Sequence, residues 1–279
     1  MPEQLFKNDS VSVVCPTYNS SSYIQRTIDS LRLQILKPEE IIFSDDGSQD
    51  STIQIIENNR DKFENIGIIL KVLKNSHGGP GAARNNGIKE AHQIWIAFLD
   101  ADDIWKKDKL SMIRKSIHKN PDSNCFLHWE EYNRINKSQR ILTHGDGYYH
   151  PNHPLLEQLY RRNFLSTSAV VCKKSLLQEV GGFDVTLPNA QDFDLWLKMA
   201  VRIQLTIIPK VLGEYIEEQN SITARPYYNR FWSEIRIAFR YRKQVPLSLF
   251  IIRILRIILS KQWVFTLYNL LTRNRKHSY

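Results

Sequence analysis

Cysteine is scarce in this 279-residue chain: only Cys15, Cys125 and Cys172 occur, widely spaced and odd in number. That excludes a disulfide framework and zinc-ligand spacing, and it fits a reducing compartment. Long apolar runs are missing as well. Near the C-terminus the longest uncharged stretches are nine residues (Gln244–Ile252) and eleven (Gln262–Thr272), short of the roughly 20 mostly apolar residues that span a bilayer. Met1 to Ser10 is polar and has no apolar core, so no secretory signal is expected and the chain is expected in the cytoplasm. The phosphate-cradling glycine motifs fail too. Gly79-Pro80-Gly81 continues as Ala82-Ala83-Arg84, which lacks the third glycine of GxGxxG, and no Gly-Lys-Ser/Thr follows. No internal repeat or low-complexity segment is present.

Acid is scarce in one region only. From Arg225 to Tyr279 there are 12 Lys/Arg and a single acid, Glu234, a balance of +11. Residues 1–224 hold the other 26 Lys/Arg and 28 Asp/Glu, a balance of −2. The net charge of +9 therefore belongs to the tail. Nucleic-acid binding is not expected, because the tail's basic residues alternate with Ile and Leu rather than with polar residues. An interfacial helix on an anionic membrane, through residues 246–272, is the expected partner surface. In it Arg253 and Arg256 share a face, with Trp263, Phe265 and Tyr268 further along. The competing expectation is a pair of helices packed on the domain or on a second subunit.

What is present is an alternation of strands and helices. Val11–Cys15, ended by Pro16, Glu40–Ser44, Ile68–Leu73 and Ile94–Leu99 read as short buried strands. Between them, Ile24, Ile28, Leu31 and Ile35 recur at helical spacing, Ser51–Asn59 reads as a helix, and Ala82–Ala91 follows a Gly-rich turn. The pace implies βαβ units and a mostly parallel sheet. After Trp105 the pattern is mixed. It shows a helix near Lys109–His118, strands at Cys125–Tyr132, Ile141–Leu142 and Ser168–Cys172, and a helix from Phe193 to Val201.

Ligands in such sheets gather at the carboxyl ends of strands. Three polar clusters follow predicted strands there: Thr17-Tyr18-Asn19, Asp45-Asp46-Gly47-Ser48 and Asp100-Ala101-Asp102-Asp103. Three carboxylates within four residues repel one another by about 1 kcal/mol or more per close pair. They call for a cation, and a hard divalent metal shared with substrate phosphates answers that need. A solvated turn with an N-cap is the structural alternative. Arg84, on the first turns of its helix, can reach a diphosphate bidentately or pair with the acidic loops. His77 receives no role, and Trp129 and Trp196 read as core.

The motifs run in a fixed order. Val13-Val14-Cys15-Pro16-Thr17-Tyr18-Asn19 is followed by Ser44-Asp45-Asp46-Gly47-Ser48, Gly81-Ala82-Ala83-Arg84-Asn85, Phe98-Leu99-Asp100-Ala101-Asp102-Asp103, Gly181-Gly182-Phe183-Asp184 and Gln191-Asp192-Phe193-Asp194-Leu195-Trp196. Over roughly residues 9–220 this order resembles the family 2 glycosyltransferases of GT-A fold. The resemblance implies a GT-A domain over residues 1–224, with a nucleotide-sugar half (1–105) and an acceptor half (106–224), followed by a basic amphipathic helical tail (225–279). It implies inverting transfer of a sugar from a nucleotide diphosphate donor, most often a uridine one, to a glycan or lipid-linked hydroxyl at the inner face of the plasma membrane.

By that resemblance, Pro16, Thr17 and Tyr18 flank the base, with Tyr18 available for stacking. Asp46, or in its stead Asp45, accepts from the base N–H. Asp102 is the ligand of Mn²⁺ or Mg²⁺, with Asp100 and Ala101 beside the ribose or the metal's water shell. Asp103 is a candidate cap for the next helix. Asp192 matches the catalytic base and Asp194 is its rival. The family's usual Glu before this Asp is Gln191 here, which removes a like-charge neighbour. A nucleotide-sugar-binding scaffold without turnover is the alternative function.

Overall fold

Short β-branched and aromatic runs bounded by Pro, Gly and Asp form the strands, and the amphipathic stretches between them form the helices. The computed structural model describes residues 8–134, 139–217 and 227–260. Its first part comprises β1 (Val11–Thr17), α1 (Ile24–Arg32), β2 (Glu40–Asp45), α2 (Thr52–Glu57), α3 (Arg60–Glu64), β3 (Ile69–Lys74), α4 (Pro80–Glu90) and β4 (Trp95–Phe98). There follow β5 (Ile104–Trp105), α5 (Lys109–Lys119), β6 (Cys125–Arg134), β7 (Arg140–Leu142), α6 (Leu155–Arg161), β8 (Val170–Lys173) and α7 (Lys174–Glu179). The last elements are α8 (Gln191–Met199), β9 (Leu205–Glu217), α9 (Tyr227–Tyr241) and α10 (Leu247–Ile258).

One sheet runs in the order β3-β2-β1-β4-β8-β6-β9-β5, with β7 added on β6. The block β3-β2-β1-β4 is parallel. Its strands β1, β2 and β4 are buried at every position, as strands covered on both faces must be. Pairing turns antiparallel at β4–β8, β6–β8, β6–β7 and β5–β9, while β6–β9 is parallel. The change falls where the sequence pattern becomes mixed.

Side chains alternate across the sheet, so neighbouring residues feed two separate cores. Val14, Ile42, Ile96 and Phe98 join α6, α8 and the C-terminal helices; Val13, Ile41, Phe43 and Trp95 join α1 and α5. Phe231, Ile237, Ala238 and Tyr241 of α9, with Leu249 and Ile257 of α10, belong to the first core. The described part of the basic segment, residues 227–260, thus packs on the acceptor half.

Local departures from expectation have local causes. Helix α1 ends at Arg32, and Ile35, expected within it, is exposed. Asp103 caps no helix, because β5 intervenes before α5 begins. Its carboxylate is buried and accepts from the Ile216 N–H at 3.1 Å, pinning β9 under the Asp100–Asp102 loop. Burial, with Asp102, Glu130 and Asp100 adding to it, pushes its pKa well up. β9 carries no clear strand signal because Pro209 interrupts it, and its register against β6 shifts around Trp129.

Candidate active site

β1, β2 and β4 are adjacent and parallel, so their carboxyl ends open on the same edge of the sheet. A cleft of about 480 Å³ lies there, and among its lining residues are Pro16, Thr17, Tyr18, Asp46, Arg84, Asp100, Ala101 and Asp102. Eight of the ten residues proposed from the sequence therefore line one cavity. Asp45 and Asp192 are not among its lining residues.

Asp45 lies one residue before Asp46, and strand alternation sends the two carboxylates different ways. Asp45 is fully buried and holds the turn. It accepts from the Thr17 hydroxyl at 2.8 Å, from the Ser48 N–H at 2.8 Å and from the Ser48 hydroxyl at 2.6 Å. Asp50 opens α2 in the same manner, accepting from the Thr52 N–H at 3.0 Å. Asp46 turns to the cleft instead. Its oxygens accept from the N–H groups of Gly78 at 2.8 Å and Gly79 at 2.9 Å, and His77 Nδ1 lies 2.8 Å away. Gly79 has φ +87° and presents that N–H from a backbone conformation costly for other residues.

His77 is the residue the sequence analysis passed over. Its ring centroid is 4.7 Å from that of Tyr18, and both rings are exposed at the lip of the cleft. The signal available was weak: one histidine before a glycine turn. Val185, Leu187, Pro188 and Tyr215 also line the cleft and had no motif to announce them.

Arg84 pairs with the acidic loop. Its Nη2 donates to Asp100 Oδ1 at 2.5 Å, and its guanidinium lies 5.4 Å from the Phe183 ring centre. Burial works to lower its pKa, but Asp100, Asp192 and Asp102 together hold it above the usual arginine value. The cation thus stands among three carboxylates. Asp100 is further oriented by its own N–H, which donates to the Ser168 hydroxyl at 3.0 Å. Among the described residues no group of three or more His, Cys, Asp or Glu could hold a metal. Asp102 and Asp100 nevertheless suit a hard cation, which takes one or two carboxylates and completes its shell with substrate phosphates and water.

Helix α8 brings Gln191 to the cleft, with Asp192 next in its first turn. Ala190, just before the helix, has φ +56°, a left-handed conformation that is strained for a non-glycine residue. Gln191 is fixed on both sides: its Nε2 donates to the Leu187 carbonyl at 2.6 Å, and its amide packs against Gly81. A side chain at Gly81 would meet that amide at 2.6 Å, so Gln191 keeps this position on α4 because residue 81 is glycine. Burial raises the Asp192 pKa; the Phe193 N–H, Arg84 and Arg230 oppose it without cancelling it. A carboxylate with a raised pKa is a stronger proton acceptor.

The rival carboxylate, Asp194, is fully buried in the hydrophobic core's polar seam. It binds Arg240 at 2.7 Å, Lys198 at 3.1 Å and the Tyr241 hydroxyl at 3.2 Å. It ties α9 to α8 and faces away from the cleft. Trp196 is fully buried, as expected, and His128 and Glu130 are buried as well.

The tail's arginines depart from the expected interfacial arrangement. Arg253 and Arg256 do share a face, but it is turned toward the domain, where they donate to the Tyr160 and Arg161 carbonyls. Those carbonyls end α6, and an unsatisfied helix C-terminus attracts cations. Trp263, Phe265 and Tyr268 lie outside the described residues.

Comparison with known proteins bears on the family and the fold. The chain is 30% identical to an uncharacterized glycosyltransferase of Rickettsia felis over 77% of its own length, and spans about a third (34%) of that protein. It is 30% identical to the amylovoran biosynthesis glycosyltransferase AmsB of Erwinia amylovora, over 75% of this chain and 70% of AmsB. Among solved structures, S. aureus TarS 1-349 in complex with UDP-GlcNAc superposes with a TM-score of 0.69 at 21% identity, covering 91% of this chain and 78% of that one. That likeness shows the fold, which is GT-A. The family model for glycosyl transferase family 2 matches residues 12–180, more than half of the chain, and the protein belongs to that family.

Proposed function

We propose that the protein transfers a sugar from a uridine diphosphate sugar to a hydroxyl of a glycan or lipid-linked acceptor, with inversion. The observation that carries this reading is the convergence on one cleft of the ends of β1, β2 and β4 with the start of α8. AmsB is named for amylovoran biosynthesis and TarS was solved with UDP-GlcNAc, which supports the substrate class.

In this reading the exposed Tyr18 ring stacks on the base. Asp46 already serves three donors, so it meets a base N–H when one of them yields. His77, whose side chain is 62% exposed, is the donor with room to move. Asp102, seconded by Asp100, would hold Mn²⁺ or Mg²⁺, which when bound would supply positive charge to the diphosphate leaving group. Arg84 keeps Asp100 in place and lowers the negative potential at Asp192. The Asp192 carboxylate takes the acceptor hydroxyl's proton while that oxygen bonds to the anomeric carbon. The bond from that carbon to the diphosphate oxygen breaks on the opposite side, so the configuration inverts.

Among the described residues no helix is long and apolar enough to cross a membrane. The +11 balance of residues 225–279 supports work at an anionic membrane surface, the cytoplasmic face, through residues 246–272.

The test is incubation of purified protein with a panel of UDP- and GDP-sugars, Mn²⁺ and glycan or lipid-linked acceptors. Transfer that Asp102→Ala abolishes is the expected result. Nucleotide binding without turnover for every donor and acceptor overturns the enzyme reading in favour of a scaffold.

A further inference from the structure

With Arg253 half-buried and Arg256, though exposed, also bonded to the end of α6, the uncharged side of α10 is the one left without partners in the fold. Leu247, Ile251, Ile252, Leu255, Ile258 and Leu259 face outward, each between 43% and 70% exposed. At about 100° per residue these six fall within an arc of about 140° that contains no charged residue. The inward side is fastened in two ways. The arginines serve the α6 carbonyls, and the Arg253 guanidinium lies 4.4 Å from the ring centre of Phe193, the residue after Asp192.

The rim of this face is basic. Arg242 and Lys243 are exposed in the turn leading into α10, Arg242 lying 5.8 Å from the exposed Phe239 ring. Phe239 in turn packs edge-on against Phe250 of α10 at 5.2 Å. The only acid from Arg225 onward, Glu234, is already engaged by Arg230 and Arg253. Past α10 the sequence adds Lys261, Arg273, Arg275 and Lys276 and no acid.

We propose that this apolar face of α10 enters the acyl boundary of an anionic bilayer, with Arg242 and Lys243 at headgroup level. Charge complementarity selects the lipid. A two-fold pairing of copies brings the same basic rims together, and the C-terminal segment offers them no acid. The inference rests on the membrane-surface reading above and specifies its element. It also assigns Arg253 and Arg256 as struts to the end of α6 rather than headgroup ligands. Because Arg253 contacts the ring next to Asp192, a bilayer seated on α10 holds the catalytic helix at a set height. That arrangement suits an acceptor whose reacting hydroxyl is carried on a lipid.

The experiment is sedimentation of the full chain with vesicles of phosphatidylcholine alone or with phosphatidylglycerol added. The wild type, an Ile251→Asp/Leu255→Asp double variant and a milder Ile251→Ser/Leu255→Ser variant are compared, with circular dichroism and UDP binding reporting the fold. We expect the wild type to bind the anionic vesicles, and both variants to bind at least about tenfold more weakly with UDP affinity unchanged. Variants that bind as the wild type does overturn the assignment of the face while leaving the membrane-surface reading intact. A wild type that ignores anionic vesicles overturns both. A wild-type dimer that the variants convert to monomer overturns the lipid as occupant in favour of a second copy.

Discussion

Replacing Arg84 by methionine isolates the charge at the centre of the cleft. Methionine keeps an unbranched side chain against the Phe183 ring but removes the guanidinium, which lies 2.5 Å from Asp100 Oδ1. Breaking a buried pair by removing one partner costs about 3–5 kcal/mol. The Arg84 side chain is 11% exposed and that of Asp100 28%, so solvent recovers part of this and about 2–3 kcal/mol remains. For a chain of this size 1 kcal/mol moves Tm by about 2–4 °C, which gives a fall of about 5–10 °C. Asp192 also loses a neighbouring cation that lowers its pKa, so the acid limb of the rate profile moves upward. Mn²⁺ with UDP restores positive charge beside Asp100 and Asp102, so the ligand-induced rise in Tm should be larger in the variant than in the wild type. Differential scanning fluorimetry with and without Mn²⁺–UDP, and initial rates across pH 4–9, read both effects. A fall below about 2 °C with an unmoved acid limb refutes the reasoning and leaves Arg84 as packing alone.

Three further outcomes follow from the site and its supports. Asp192→Asn should lower transfer by about a thousandfold or more with little change in UDP affinity; in the wild type, activity should fall as pH drops through a pKa above the usual aspartate value, since burial raises it. Asp184 is held down to about 2: burial opposes this, but hydrogen bonds from Thr186 and Arg240 prevail. Its folded value lies below its unfolded one, so the bonds from Thr186 and Arg240 together contribute roughly 2 kcal/mol above about pH 4. That contribution is lost as pH falls toward 2, and acid denaturation of Arg240→Gln should lack the part that Arg240 supplies, while the Thr186 bonds keep the rest. Ala190→Gly relieves the φ of +56° before α8 and should raise Tm by about 2–4 °C, corresponding to up to about 1 kcal/mol.

The strand ends show how far local chemistry reaches. A buried β-rich run that stops at a polar cluster is legible residue by residue, and parallel alternation dictates that such ends share one edge. Hence the placement of Thr17, Asp46, Asp100 and Asp102 at one edge of the sheet is legible in the sequence. Which of two adjacent aspartates faces a ligand is a different matter. Asp45 and Asp46 have the same composition and neighbours, and only the register of β2 against β1 decides that one holds Ser48 while the other meets Gly78 and Gly79. His77 was invisible because its partners, Tyr18 and Asp46, are distant in sequence.

The sequence by itself determined the alternation of elements, the order of the motifs and with it the family, the unpaired cysteines and the segregation of positive charge into residues 225–279. Each of these depends on neighbours along the chain. Tertiary structure alone decided that Asp103 pins β9, that Asp194 binds Arg240 and that Gln191 wedges against Gly81. It also decided that Arg253, half-buried, and Arg256, still exposed, both reach the end of α6. A helical wheel shows which residues share a face, but the direction of that face depends on unsatisfied groups elsewhere in the fold. Here the carbonyls of α6 attracted the arginines, and the aliphatic side of α10 was left outward.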